Sequence, residues 1–130
     1  MATGATGVDD AVRQIREMDV EFVRHANAGD ATALVDGFYA DDAHLMPPNS
    51  AKISGKAGIT EFWKAVMAAG ASDVQLETTE ISTSGELAYG VGNYSYLMGG
   101  SPQAGKYVAV YRRQPNGRYL AVVDMFSPNA

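Results

Sequence analysis

Residues 105–129 read GKYVAVYRRQPNGRYLAVVDMFSPN, a pattern of two strand-like runs around a turn. Pro115-Asn116-Gly117 is a tight-turn signal between two apolar runs. It predicts a hairpin of strands Lys106–Arg113 and Arg118–Ser127. Strict alternation puts Leu120, Val122, Asp124 and Phe126 on one side of the last strand. Tyr119, Ala121, Val123 and Met125 fall on the other. Both rows are largely apolar, which predicts a strand covered on both faces. Helices can cover one face. A second copy of the chain can cover the other, because an apolar sheet face of that size is unusual on a monomer. The expectation is a homodimer packed through the sheet. The plainer alternative is an outer face that carries scattered apolar residues.

Upstream, Leu87–Met98 is a long tyrosine-rich strand, and Ser84-Gly85-Glu86 is a turn. Val74–Thr83 alternates as a strand, while Gly99–Pro102 reads as a looser connection. Earlier still the period changes to that of helices. Val8, Ala11, Val12, Ile15, Met18, Phe22, Val23 and Ala26 form one stripe, which predicts a helix over about 8–28. Gly29 stops it, and Asp30 caps a short second helix with Leu34, Val35 and Phe38 on its buried face. A third helix from Lys56 to Gly70 buries Ile59, Phe62, Trp63, Val66 and Met67. Between them Ala43–Met46 reads as a short strand stopped by Pro47-Pro48. Three helices before four consecutive long strands predict an α+β domain with a curved antiparallel sheet over residues 8–130. Residues 1–7 are expected to be a flexible tail.

Composition narrows the function. The chain has 130 residues, enough for one domain with its own core. Hydrophobic residues make up 46% and charged residues 19%, which excludes intrinsic disorder. A net charge of -5 without a basic cluster speaks against nucleic acid. No apolar run is long enough to span a membrane. The opening MATGATGVDD has no export-signal pattern, so a cytoplasmic location is expected. There are no cysteines, hence no thiol chemistry. His25 and His44 lack metal-ligand spacing, Asp41-Asp42 reads as a solvated turn, and no phosphate-binding loop or GxSxG elbow is present. No metal or cofactor is expected.

Asp124 is the most informative residue. Inside AVVDMF a carboxylate loses hydration and must be paired or protonated. Such a group suits proton transfer. A buried aspartate that only hydrogen-bonds a tyrosine or the backbone fits the same residues. Tyr94 and Tyr96 share one strand face, and Tyr107 and Tyr111 share one face of the next. Phenols suit the wall of an apolar pocket, and they also suit a plain core.

Helix–AGD–helix, YADDAHLMPPN, SGKAGITEFW and the closing strands together resemble the nuclear-transport-factor-2-like superfamily. Within it the chain is most similar to SnoaL-like and ketosteroid-isomerase-like small proteins, in a mostly uncharacterised branch. The resemblance covers residues 8–129 and implies a cone: a cystatin-like curved sheet wrapped around the first helix, with an apolar pocket and frequent dimers. It implies that Tyr39, Trp63, Met67, Ala109, Val122, Asp124 and Phe126 line the pocket. It also implies that three groups of the steroid isomerases are replaced, by Phe22, by Pro47 and at or near Ala109. Steroid isomerisation by that mechanism is therefore not expected. Two functions stay open. One is a cofactor-independent isomerase, dehydratase or cyclase that uses Asp124 on a small apolar or aromatic molecule. The other is a ligand-binding or dimeric interaction module without turnover.

Overall fold

The computed structural model describes residues 3–130, with side chains from Asp10 onward. Helix α1 spans Thr3–Asn27 and α2 Ala31–Phe38. They are followed by strands β1 (Tyr39–Met46) and β2 (Ile53–Ser54), then helix α3 (Lys56–Ala68). Strands β3 (Ala71–Ser84), β4 (Leu87–Met98), β5 (Ser101–Arg113) and β6 (Tyr119–Pro128) complete the chain. The six strands form one curved sheet in the order β2-β1-β6-β5-β4-β3, and the helices pack on its inner face.

Helix α1 begins at Thr3, ahead of the expected start at Val8. The first two residues of the expected tail lie outside the described residues. Of its expected apolar stripe, Ala11, Ile15, Met18, Phe22 and Ala26 are buried and Val12 and Val23 are half-buried, while the Val8 side chain lies outside the described ones. Gln14 ties the helix to the β5–β6 hairpin, accepting from the Tyr119 N–H at 2.9 Å and donating to the Gly117 carbonyl at 3.1 Å. At the other end Asn27 donates to the Val74 carbonyl and accepts from its N–H, which fixes the start of β3. Gly29 at φ 72° turns the chain, and Asp30 caps α2 by accepting from the Ala33 N–H at 3.0 Å.

Four further features differ from the sequence reading. The sheet is mixed: β1 runs parallel to β6, while every other pair is antiparallel. Helix α2 runs straight into β1 at Tyr39, so the strand starts four residues before Ala43. The acidic pair Asp41-Asp42 therefore stands in a strand, not a turn. Pairing with β6 shifts between Tyr39 and His44, and both carboxylates stay exposed beside Lys56 and Arg112. The β4–β5 connection is tight, not loose. Gly99 (φ 57°) and Gly100 (φ 83°) form a two-residue turn of the kind that matches strand twist. Pro102 lies beyond the reach of β6, where β5 has only β4 beside it, so its missing N–H costs the ladder little.

The fourth difference concerns the last strand. Val110 pairs with Val123 and Tyr111 with Ala121, leaving Val122 as an extra residue in a bulge. The bulge reverses the phase of the strand. Tyr119 and Ala121 face the core before it, and Asp124 faces inward after it. The two rows of strict alternation are therefore each split between the faces. Further irregularities in β3, between Ser72 and Gln75 and between Thr78 and Glu80, bend the sheet's far edge. Bulges of this kind curve a sheet around what it encloses.

Candidate functional site

One part of the core is sealed from solvent and another borders a cavity. Ile15, Leu34, Val35, Tyr39, Leu45, Ile59 and Tyr111 pack without exposure to solvent in the sealed part. Phe62, Trp63, Met67 and Phe126 pack against that core but stay half-buried. They are half-buried because α3 borders a cavity instead of more core. The cavity has a volume of about 270 Å³.

Its wall is almost wholly aromatic and aliphatic. Helices supply Phe22, Phe38, Phe62, Trp63 and Val66. The loop after β1 supplies Pro47 and Pro48, and β3 supplies Ala71, Val74 and Leu76. The remaining wall comes from Tyr94, Ser95, Tyr96 and Met98 on β4, Tyr107 on β5, and Asp124 and Phe126 on β6. The rings brace one another. Trp63 stacks on Phe126 at 5.9 Å, and Phe22 meets Trp63 edge to face at 5.6 Å. Tyr94 stacks on Tyr96 at 6.1 Å. Glycines make room for the phenols. Gly92 pairs with Tyr107 and Gly105 with Tyr94 across β4 and β5. A Cβ at Gly92 would come within 2.8 Å of the Tyr107 hydroxyl, and one at Gly105 would overlap the Tyr94 ring.

Asp124 is the one carboxylate among the described residues of this wall. Its residue is 7% exposed, and the Tyr39 hydroxyl donates to its Oδ2 at 2.6 Å. Tyr39 in turn accepts from Trp63 Nε1 at 3.2 Å. Burial pushes the Asp124 carboxyl up to about 6, the Tyr39 hydrogen bond pulls it down, and the charge of Asp19 raises it. Tyr39 itself stays a neutral donor, because burial and the neighbouring carboxylate push its phenol well above the ordinary value.

Of the residues singled out from sequence, Asp124, Phe22, Trp63, Tyr94, Tyr96, Tyr107 and Phe126 come together on the cavity wall. The other four are not among the lining residues. Tyr39 is fully buried behind Asp124. Met67 packs against the core. Ala109 lies directly opposite Asp124 across β5 and β6, a methyl where the resemblance implies a carboxyl in the steroid isomerases. Val122 is the bulge residue. His44 bonds the Ser54 hydroxyl at 2.8 Å, and His25 lies 3.7 Å from Glu21.

Sequence reasoning missed Asp19. It is a second buried carboxyl, pushed up to about 6 by burial and held down by Thr78 and Arg16. The signal was present: Asp19 lies four residues after Ile15 and three before Phe22, on the buried stripe.

No curated protein matches the chain. Many solved structures share its fold. A ketosteroid isomerase-like protein from Erwinia carotovora atroseptica is 20% identical, with 91% of this chain and 95% of that one covered and a TM-score of 0.78. An NTF2-like protein with a cystatin-like fold from Novosphingobium aromaticivorans is 22% identical over 92% of this chain and 82% of that one, with a TM-score of 0.79. A candidate dehydratase of the NTF2-like family from Streptomyces avermitilis is 20% identical over 94% and 98%, with a TM-score of 0.78. The helices, the curved sheet and these matches agree with the profile of the SnoaL-like domain, which fits residues 20–122, and the chain belongs to that family.

Proposed function

We propose that the cavity binds a small apolar or aromatic molecule, and that Asp124 exchanges a proton with it in a cofactor-independent isomerisation, dehydration or cyclisation. The observation that carries this reading is the buried Asp124 carboxyl, the one carboxylate among the described residues of a largely aromatic and aliphatic wall, which burial pushes up to about 6. Such a group can take a proton from carbon or oxygen and return it, which general acid–base catalysis turns into roughly 10²–10⁴ in rate. Tyr39 orients the carboxyl from behind, and the Tyr94, Tyr96 and Tyr107 phenols can hold an oxygen of the substrate. The Streptomyces neighbour named as a candidate dehydratase adds one reaction class to test.

The test is a screen of ring ketones, enols and hydroxylated aromatics for hydrogen exchange or water loss, run with native protein and Asp124→Asn. Turnover that disappears in the variant while the ligand still binds supports the reading. Turnover that survives in Asp124→Asn contradicts it.

A second reading, a dimeric interaction module, is favoured by the outer sheet face. There Tyr89, Val91, Val108 and Met125 are each more than a third exposed. Val91 pairs with Val108, and Val108 with Met125, so they form one continuous patch across three strands. A second copy of this chain is the proposed partner. The dimer and the pocket are compatible, since they use opposite faces. Sedimentation at tens of micromolar separates a dimer from a monomer.

A further inference from the structure

Behind the cavity wall a chain of three hydrogen-bonding groups runs from helix to sheet. Thr78 Oγ1 bonds Asp19 Oδ2 on one side and the Tyr107 hydroxyl on the other. All three residues are buried, and Tyr107 also lines the cavity. We propose that Asp19, acting through Thr78, sets whether the Tyr107 hydroxyl offers the cavity a proton or a lone pair.

The number of protons fixes the direction of each bond. Each hydroxyl owns one, and an ionised carboxylate only accepts. With Asp19 ionised, Thr78 must donate to Asp19, so Tyr107 must donate to Thr78. The Tyr107 oxygen then has only lone pairs left for a ligand. With Asp19 protonated on Oδ2 the chain reverses: Asp19 donates to Thr78, Thr78 donates to Tyr107, and the phenol proton is released. Oδ2 is where that proton sits. Oδ1 is buried with no partner among the described residues, and a hydroxyl there would be a stranded donor. The same bare oxygen makes the ionised state costly, which favours proton uptake.

The surroundings put this reversal near neutral pH. Asp19 faces Arg16 from its own helix, Thr78 from β3, Tyr107 and Tyr111 from β5 and Asp124 from β6, while α2 turns only apolar residues inward. Burial dominates and raises the carboxyl to about 6. Tyr39, by contrast, cannot reverse, because Trp63 can only donate to it and its own proton goes to Asp124.

The proposed ligand-binding reading then acquires a chemical class. Above the titration of both carboxyls, Tyr107 and Asp124 are acceptors, so the site selects an apolar ring body with an O–H or N–H donor. Below it the site favours a carbonyl or ether oxygen.

Indole donates and does not accept; 1-indanone accepts and does not donate; neither titrates between pH 5 and 8. Their affinities would be measured in the Asp124→Asn protein, which leaves Asp19 as the titrating carboxyl. The indole-to-indanone ratio is expected to rise about three- to tenfold from pH 5 to 8. It should be flat in a further Thr78→Val variant and restored by Thr78→Ser. The ¹³Cζ resonance of Tyr107 gives a ligand-free readout and should follow the same titration. A Tyr107 resonance that is flat, or that still moves with Thr78→Val, overturns the proposal. A resonance that moves in protein binding neither probe supports the relay and overturns the ligand-binding reading instead.

Discussion

Replacing Asp124 by asparagine should make the protein more stable above neutral pH even as it removes the proposed acid–base group. Burial pushes the carboxyl up to about 6 in the folded chain, against an ordinary value of 3.8. A folded-state value above the unfolded one means that the native protein binds the proton more tightly. The stabilisation this gives is fully present below pH 4 and is lost as pH rises through 6. A rise of about two pH units at 1.36 kcal/mol each comes to about 3 kcal/mol. Roughly half of that is lost between pH 5 and 8. Asparagine keeps an oxygen that can accept from Tyr39 and carries no charge to bury. Urea unfolding of both proteins at pH 5 and pH 8 measures the difference. The wild type should lose about 1–2 kcal/mol more than Asp124→Asn over this interval. Equal slopes, with the variant weaker at both pH values, would show that Asp124 is not held in a charge-averse environment.

Other outcomes follow from the same contacts. Tyr39→Phe removes a hydrogen bond to a buried carboxylate, worth roughly 1.5–3 kcal/mol, so the Asp124 midpoint should climb by roughly 1–2 pH units in an NMR titration. No movement would refute the 2.6 Å bond as a determinant of Asp124 acidity. Gly92→Ala drives a Cβ into the Glu77 carbonyl oxygen and to 2.9 Å from the Thr78 Cα, and should cost at least about 1–3 kcal/mol by denaturant unfolding. Gly37→Ala, inside α2 with none of the described residues within 4 Å of the new methyl, should gain roughly 0.5–1 kcal/mol in the same assay. Val108→Lys places a charge at the centre of the outer patch. It should shift sedimentation toward monomer while leaving the unfolding midpoint nearly unchanged, and an unaltered sedimentation profile would remove that face as the dimer surface.

Much of this architecture is written in local pattern. The β5–β6 hairpin was legible because Pro115-Asn116-Gly117 separates two runs of strand-forming residues, and α1 because its stripe repeats every three to four positions. What escaped was set by tertiary context. Nothing in Val122-Val123 announces a bulge, yet that one extra residue carries Asp124 to the same face as Tyr119 and Ala121. Strict alternation separates them. The parallel β1–β6 pairing depends on the route the chain takes around the helices, which periodicity does not encode. Gly99-Gly100 was a readable turn signal that the following proline obscured. Tyr39 and Asp124 are 85 positions apart, so their bond left no spacing to find. Asp19 is the opposite case, since an acid on a buried stripe is visible once each stripe position is checked for charge.

The ¹³C-carboxyl titration of Asp124 in the ligand-free protein reports whether its side chain is shielded from water. A midpoint near 6 matches a carboxyl shielded from water in an aromatic chamber. A midpoint near 4, the value of a hydrated aspartate, would contradict it.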